Sequence, residues 1–289
     1  MTDHAALDLG ALAEIGRGME GVVYRLPGGR IAKAWFTRDA AQLRPLAEFY
    51  AELSLPFATP EILDIVERDG QVVTIERELT GVPLSSSGLD LAQQRERAVT
   101  VLAALAAAAT GPAARALPVF GTHTPLWTAD TWRASLVNLL ELRLAKDHQV
   151  LRAALPTVDA IAERVAAALP DLAPEAERAV HGDLCRPNVL VDAAGNISGL
   201  LDWGFLSTAG DPAFDAATFA VFFDMYGPAA TEQAAAMTAL VTTRLGYAPE
   251  LLRLYQAYYA LIGAAAYDET GQDGHFAWCV SLLRNVSLP

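Results

Sequence analysis

The feature that most constrains this chain is a pair of short apolar runs around a turn rich in Asp, Gly and Asn. The runs cover residues 189–191 and 197–201, and their β-branched residues predict a β-hairpin. Asp183 and Asn188 precede the first predicted strand, and Asp202 ends the second. We therefore expect the hairpin to bring these three polar side chains to the same end of a two-stranded unit.

The three side chains have complementary chemistry. A lone Asp or Asn near a turn is usually a capping residue, but their combination and order are more specific. The carboxylate of Asp183 can orient a hydroxyl group and accept its proton. The amide oxygen of Asn188 and the carboxylate of Asp202 are hard oxygen ligands that suit Mg²⁺. This pattern predicts a proton acceptor beside a magnesium site.

The motifs around the hairpin resemble those of the aminoglycoside phosphotransferase family, whose members have a protein-kinase-like fold. The matching stretches are H-G-D-L-C-R-P-N at 181–188, L-L-D-W-G at 200–204 and G-D-P-A-F-D at 210–215. The sequence departs from the family at Cys185, where many members carry His, and at Gly204, where many carry Glu or Asp. Both departures bear on the identity of the acceptor more than on activity.

The resemblance implies an α+β, bilobal fold. A small β-rich N-terminal lobe would carry one helix, and a larger C-terminal lobe would be mostly helical. The resemblance also implies ATP or GTP and Mg²⁺ as cofactors. In that scheme Asp183 is the catalytic base, and Asn188 and Asp202 are the metal ligands.

A glycine pattern near the N-terminus predicts a phosphate-binding loop. Gly16, Gly18 and Gly21 follow the spacing G-x-G-x-x-G, and glycines let a backbone approach phosphates closely and donate N–H groups to them. A dinucleotide-binding turn has the same glycines but needs a helix directly after them. Because V-V-Y at 22–24 is typical of a strand, the pattern favours a loop between two strands.

A lysine in the next predicted strand is the second nucleotide-binding candidate. Lys33 stands twelve residues after Gly21 among apolar residues, where an unpaired ammonium would be costly. An edge-strand lysine is the alternative. The resemblance implies a partner for it on the helix predicted over 37–55, either Glu48 or Glu52. We favour Glu48 because it lies in the middle of that helix; a solvated charge is the alternative for each.

The linker between the two lobes is predicted near residues 76–84. By the resemblance, the C=O of Arg77 and the N–H of Leu79 contact the adenine base, whereas an ordinary exit from a strand is the alternative. Residues 1–80 would then form the nucleotide-binding lobe, and residues 85–289 the catalytic and acceptor-binding lobe.

The charge of the chain restricts its partners. The net charge is −13, which argues against nucleic acid, since such a partner needs clustered Lys and Arg. From Asp202 onward there are nine acidic and three basic residues. This excess either serves solubility or concentrates a cationic substrate. In the second case the candidate ammonium partners are Asp224, Asp268, Glu269 and Asp273.

Other sequence features bear on the location of the protein. The longest apolar stretch, at 98–109, is too short to span a bilayer. Two cysteines provide no disulfide framework, and the N-terminus lacks the pattern of a secretory leader, so a cytoplasmic protein is expected.

These observations together predict an ATP- and Mg²⁺-dependent O-phosphotransferase. Its acceptor would be a hydroxyl of a small cationic molecule, an aminoglycoside or basic peptide antibiotic, and its action would confer resistance. A metabolic kinase for choline, homoserine or an amino sugar is one alternative. A catalytically inactive nucleotide-binding pseudokinase is another. The pattern does not predict an oligomeric state.

Overall fold

The N-terminal part of the protein is a five-stranded antiparallel sheet. The computed structural model describes residues 8–68 and 70–287. The strands are β1 (Glu14–Arg17), β2 (Gly21–Leu26), β3 (Arg30–Trp35), β4 (Ile62–Arg68) and β5 (Gln71–Arg77). They lie in the order β1-β2-β3-β5-β4. The register sets Lys33 of β3 opposite Val23 of β2 on one side and Thr74 of β5 on the other, so the lysine lies on the central strand.

One helix, α1 (Ala40–Glu52), connects β3 to β4. It begins at Asp39, whose carboxylate accepts a hydrogen bond from the backbone N–H of Gln42. The Gln42 side chain accepts one from the N–H of Asp39 in return. This capping box satisfies two backbone donors that the first turn would otherwise leave unpaired. Leu46 and Phe49 are fully buried on the inner face of the helix.

The rest of the chain is mostly helical. Its helices are α2 (Leu91–Ala107), α3 (Ala113–Ala116), α4 (Trp132–Ala154), α5 (Val158–Ala168), α6 (Ala213–Phe222), α7 (Ala230–Leu245), α8 (Pro249–Gly263) and α9 (Gly274–Asn285). Every residue of α6 is buried. This helix packs against α7 and α8 and forms the centre of the helical core. A helix that is apolar all round is typical of such a position.

Short strands join the sheet to the helices. They are β6 (Val82–Pro83), β7 (Arg178–Val180), β8 (Val189–Val191), β9 (Ile197–Leu200) and β10 (Thr208–Gly210). The predicted hairpin is confirmed, because β8 and β9 pair antiparallel. Strand β6 pairs with β8 on its other side, and β10 pairs with β7. The segment that leaves the N-terminal sheet is thus attached directly to the hairpin.

The α+β class, with an antiparallel sheet in the N-terminal region and helices in the C-terminal region, is confirmed. The lobe boundaries at 1–80 and 85–289 remain a prediction; β5 ends at Arg77 and α2 begins at Leu91. Within residues 8–68 and 70–287, no helix combines the length and the apolar character needed to cross a membrane.

Candidate active site

A cavity of about 740 Å³ is shared by the N-terminal sheet and the β8–β9 hairpin. The predicted site residues that line it are Gly16, Gly18, Gly21, Lys33, Arg77, Leu79, Asp183, Asn188 and Asp202. They come from three stretches that are far apart in the sequence. The fold therefore brings the predicted phosphate loop, the lysine, the base-contacting segment and the hairpin residues to one cleft.

The loop that carries Asp183 is held by a network of hydrogen bonds. The backbone N–H groups of His181 and Gly182 donate to the carboxylate of Asp215, at 2.7 and 2.9 Å. Burial lowers the pKa of His181 to about 4, so its imidazole is neutral. Its Nε2 then donates to the carbonyl of Leu201 (2.8 Å), and its Nδ1 accepts from the N–H of Asp183 (3.2 Å). The histidine therefore holds the loop in place, and its single ring N–H is engaged with the Leu201 carbonyl.

Gly182 allows this loop to lie against the segment that follows Asp202. Its φ of +81° lies in the left-handed region that favours glycine, and a Cβ built on it would stand 2.3 Å from the carbonyl oxygen of Leu206. Beside it, the Ser207 hydroxyl donates to the carbonyl of His181 at 2.6 Å. A side chain at position 182 would separate the two segments.

Asn188 and Asp202 present oxygen atoms that fit Mg²⁺. The Asn188 side-chain nitrogen donates to the carbonyl of Asp183 (2.9 Å), which leaves its amide oxygen available for a cation. The Asp202 side chain is 60% exposed. Among the described residues no cluster of three or more His, Cys, Asp or Glu side chains could hold a metal by itself. Proteins usually bind Mg²⁺ through one or two side chains, while phosphate and water complete its shell.

The carboxyl group of Asp183 has an unusual protonation equilibrium. Burial, followed by the charges of nearby carboxylates, raises its pKa to about 8. The carboxylates are those of Asp202, Glu20 and Asp215. A proton acceptor is most useful when its pKa lies near the working pH, and a cation bound beside Asp202 would offset the neighbouring negative charge.

Cys185 lies in the same loop and lines the same cavity. Burial raises the pKa of its thiol to about 12. The group is therefore protonated at neutral pH and is not a nucleophile, because the thiolate is the reactive form.

Lys33 is poised between two carboxylates. Its Nζ lies 3.5 Å from Glu20 Oε2 and 3.6 Å from Asp202 Oδ1, and its side chain is 12% exposed. The same nitrogen lies 3.9 Å from the centre of the Trp35 ring. The aromatic face and the two acids together offset the cost of placing an ammonium in this partly buried position.

The prediction that Glu48 or Glu52 pairs with Lys33 is wrong in this structure. Helix α1 turns its apolar stripe, which includes Phe49, toward the interior, and Glu48 is left exposed on the outside. Glu52 lies at the end of the helix, where its carboxylate accepts a hydrogen bond from the N–H of Ala113 at 3.1 Å. The lysine finds its carboxylates on the glycine-rich loop and the hairpin instead.

The predicted base-contacting residues, Arg77 and Leu79, line the cavity where β5 ends. The Glu78 N–H between them donates to the carbonyl of Gly29, which ties this segment to the sheet. The contacts of the Arg77 carbonyl and the Leu79 N–H with adenine remain a prediction.

The four predicted substrate carboxylates are engaged elsewhere, which the sequence prediction did not anticipate. None is among the described residues that line the cavity. Asp224 pairs with Arg186 at 2.8 Å, Asp268 accepts hydrogen bonds within its own turn, Glu269 pairs with Lys146 at 2.6 Å, and Asp273 caps α9. Each carboxylate has a local partner close by in space, and this structure does not support their role as ammonium partners.

Sequence reasoning also missed an aromatic wall beside Asp183. Phe205 and Tyr267 line the cavity with stacked rings, whose centroids are 5.6 Å apart and whose planes meet at 14°. His275 abuts Tyr267 with a centroid distance of 4.8 Å. Phe205 lies far along the chain from Tyr267 and His275, so no local pattern in the sequence could have grouped the three.

The fold and the cleft define a kinase-like phosphotransferase. A sequence model of the phosphotransferase enzyme family, APH, matches residues 12–256. The chain belongs to this family and is a phosphotransferase. None of the curated proteins matches the chain significantly.

Several solved structures are similar to the chain, among them three aminoglycoside phosphotransferases. A thermostable mutant of APH(4)-Ia with AMP-PNP and hygromycin B has a TM-score of 0.69 and 20% identity, covering 95% of this chain and 93% of that chain. APH(3'')-Id from Streptomyces rimosus with ADP and streptomycin has a TM-score of 0.55 and 16% identity, covering 93% and 96%. A mutant of the 2'-phosphotransferase-IIIa with GDP has a TM-score of 0.60 and 17% identity, covering 98% and 93%. At these identities the likeness establishes the fold.

Proposed function

We propose that this protein transfers the terminal phosphoryl group of ATP or GTP to a hydroxyl of a small cationic antibiotic, an aminoglycoside or a basic peptide, and so confers resistance. One observation carries the proposal. Lys33, Asp183, Asn188 and Asp202 meet in a single cleft that is also lined by a glycine-rich loop. These are the residue types that phosphoryl transfer requires, since it depends on positioning and on neutralising charge.

Each residue has a definite task in the proposed mechanism. The backbone of the loop at 16–21 covers the phosphates, and Lys33 binds their oxygens. Asn188 and Asp202 would hold Mg²⁺, which neutralises charge on the phosphate oxygens when it is bound. Asp183 orients the acceptor hydroxyl and accepts its proton late in the transfer.

Two observations support a cationic acceptor. The net charge of −13 creates a field that attracts cations toward the protein. The similar structures named above bind hygromycin B and streptomycin. We also propose a cytoplasmic location, with which the two free cysteines, Cys185 and Cys279, agree.

A second candidate function, a metabolic kinase for an alcohol of lower charge, is favoured by the acceptor end of the cleft. There the wall is aromatic at Phe205 and Tyr267, and the four acids expected to bind ammonium groups are engaged elsewhere. Aromatic faces bind single ammonium groups and sugar rings without needing several free carboxylates.

The deciding experiment is phosphate transfer from γ-labelled ATP or GTP to a panel of acceptors. The panel contains aminoglycosides, tuberactinomycin-type peptides, choline, homoserine and amino sugars, and the Asp183→Asn variant is the control. We expect Mg²⁺-dependent labelling of an antibiotic by the wild type alone. Labelling of only the metabolic alcohols would assign the second function. A folded protein with no transfer and no ATP hydrolysis would be a pseudokinase.

A further inference from the structure

A buried arginine links the glycine-rich loop to the segment that follows the predicted metal ligand. Arg38 Nη2 donates to Glu20 Oε1 at 2.5 Å and to the carbonyl oxygen of Gly204 at 2.9 Å. The Arg38 side chain is 5% exposed. Glu20 belongs to the phosphate loop and Gly204 lies two residues after Asp202, so a single guanidinium spans both sides of the cleft.

The second oxygen of Glu20 faces the lysine of the cleft. Glu20 Oε2 lies 3.5 Å from Lys33 Nζ, and Lys33 lies 3.6 Å from Asp202. Two cations and two carboxylates therefore form a continuous chain, Arg38–Glu20–Lys33–Asp202. A third acid, the buried Glu76, also lies near Lys33; burial raises the pKa of Glu76, and the positive charge of Lys33 opposes that rise. In a site of low dielectric, a partner such as Glu20 is needed to retain a buried guanidinium.

The sheet holds both cations in place through one aromatic ring. Trp35 lies under the Lys33 nitrogen at 3.9 Å and beside the Arg38 guanidinium carbon at 5.2 Å. Its indole N–H donates to the Thr74 hydroxyl on the neighbouring strand at 3.0 Å. The arrangement rests on the rigid sheet, although Glu20 itself belongs to a loop.

We propose that Glu20, held by Arg38, is the residue that positions Lys33 for the nucleotide phosphates in this protein. The inference rests on the proposed function, because it assigns a role within nucleotide binding. The helix glutamates are not available for the task, since Glu48 is exposed and Glu52 binds Ala113. A carboxylate supplied by the phosphate loop also couples the position of that loop to Lys33 and, through Arg38, to the metal-binding segment.

The distances favour positioning over blockage of the lysine. Glu20 Oε1 accepts the hydrogen bond of Arg38, whereas Glu20 Oε2 lies 3.5 Å from Lys33 Nζ, at the outer limit of a hydrogen bond. A carboxylate held by another cation can orient the ammonium group and still leave its other protons free for phosphate oxygens. A blocking carboxylate would instead compete with the nucleotide for Lys33.

The test is the affinity of the protein for MgADP, which requires no knowledge of the acceptor. Calorimetry on the full chain compares the wild type with Glu20→Gln, Glu20→Asp and Arg38→Gln, and Glu48→Gln is the matched control. We expect Glu20→Gln and Arg38→Gln to weaken binding about tenfold, with partial recovery in Glu20→Asp and no change in Glu48→Gln. Because the two residues act as one unit, the double variant should be little worse than either single variant.

Several outcomes overturn the inference. Tighter binding by Glu20→Gln would make Glu20 a competitor of the nucleotide. Unchanged binding with a lowered melting temperature would make the pair merely structural. If Arg38→Gln does not fold, the Glu20 series decides alone. A wild type that binds neither MgADP nor MgGDP would contradict the proposed function itself, whereas wild-type binding with unchanged affinity in Glu20→Gln would contradict only this inference.

Discussion

Asp183 is the residue of the cleft to which the proposed mechanism assigns proton transfer. The proposed role requires a carboxylate that accepts a proton, yet burial and three neighbouring acids raise the pKa of Asp183 to about 8. The folded, metal-free protein therefore binds a proton here that the unfolded chain releases near pH 4. An acid whose pKa is raised by folding stabilises the fold at low pH, and that contribution is lost as the pH rises toward the folded-state pKa.

We predict that Asp183→Asn removes a pH dependence of stability. Between pH 5 and pH 8, in EDTA, the free energy of unfolding of the wild type should fall more than that of the variant. The expected difference is roughly 1–3 kcal/mol, because one pKa unit corresponds to about 1.4 kcal/mol and the carboxyl group opens partly onto the cleft. Urea unfolding at both pH values measures it. Parallel curves for the two proteins would show that the raised pKa of Asp183 is absent in solution.

At the scale of elements, the loop at 181–188 depends on its close packing against the segment that includes Leu206. Gly182 has a φ of +81°, and a Cβ built on it would stand 2.3 Å from a backbone oxygen. Gly88 has a φ of +77°, and a Cβ built on it would meet no atom within 4 Å outside its chain neighbours. The two glycines thus have nearly the same φ and differ in the space around them.

We predict that Gly182→Ala destabilises the protein by about 3–4 kcal/mol, and that Gly88→Ala costs about 1 kcal/mol. Gly88→Ala loses stability only because its backbone is left-handed, whereas Gly182→Ala also forces two backbone segments apart. Urea unfolding measures both. Equal losses would mean that the loop tolerates a side chain at position 182.

The elements also differ in how far the sequence alone could predict them. The hairpin β8–β9, the glycine-rich loop and the lysine strand are local, so apolar alternation and glycine spacing were sufficient to predict them. The partner of Lys33 was not predictable in this way, because it depends on which face α1 turns inward and on a contact between Glu20 and Arg38 across the fold. The ion pair of Asp224 was not predictable for the same reason, since its partner Arg186 lies 38 residues away.

At the scale of the whole molecule, the dominant property is charge. The net charge of −13 acts over distances that individual ion pairs do not. Salt screens such a field with a length of about 8 Å at physiological ionic strength. The proposed acceptor is a cation and the nucleotide is an anion, so screening should affect their association in opposite directions.

We predict that kcat/KM for a cationic antibiotic acceptor falls severalfold when the ionic strength is raised from about 0.05 to 0.3 M. Under the same conditions kcat/KM for MgATP should stay constant or rise. Steady-state kinetics with each substrate varied in turn separates the two effects. If kcat/KM for the acceptor did not change with ionic strength, an alcohol of low charge would be favoured as the substrate.

The most direct test of the central claim, that one cleft performs phosphoryl transfer with Asp183 as its base, is a paired measurement on Asp183→Ala. Nucleotide affinity and kcat are determined on the same preparation, with an acceptor found in the panel. The variant should bind MgADP about as tightly as the wild type and lose about 10²–10⁴-fold in kcat. Retention of nearly full kcat by a variant that binds nucleotide normally would contradict the account.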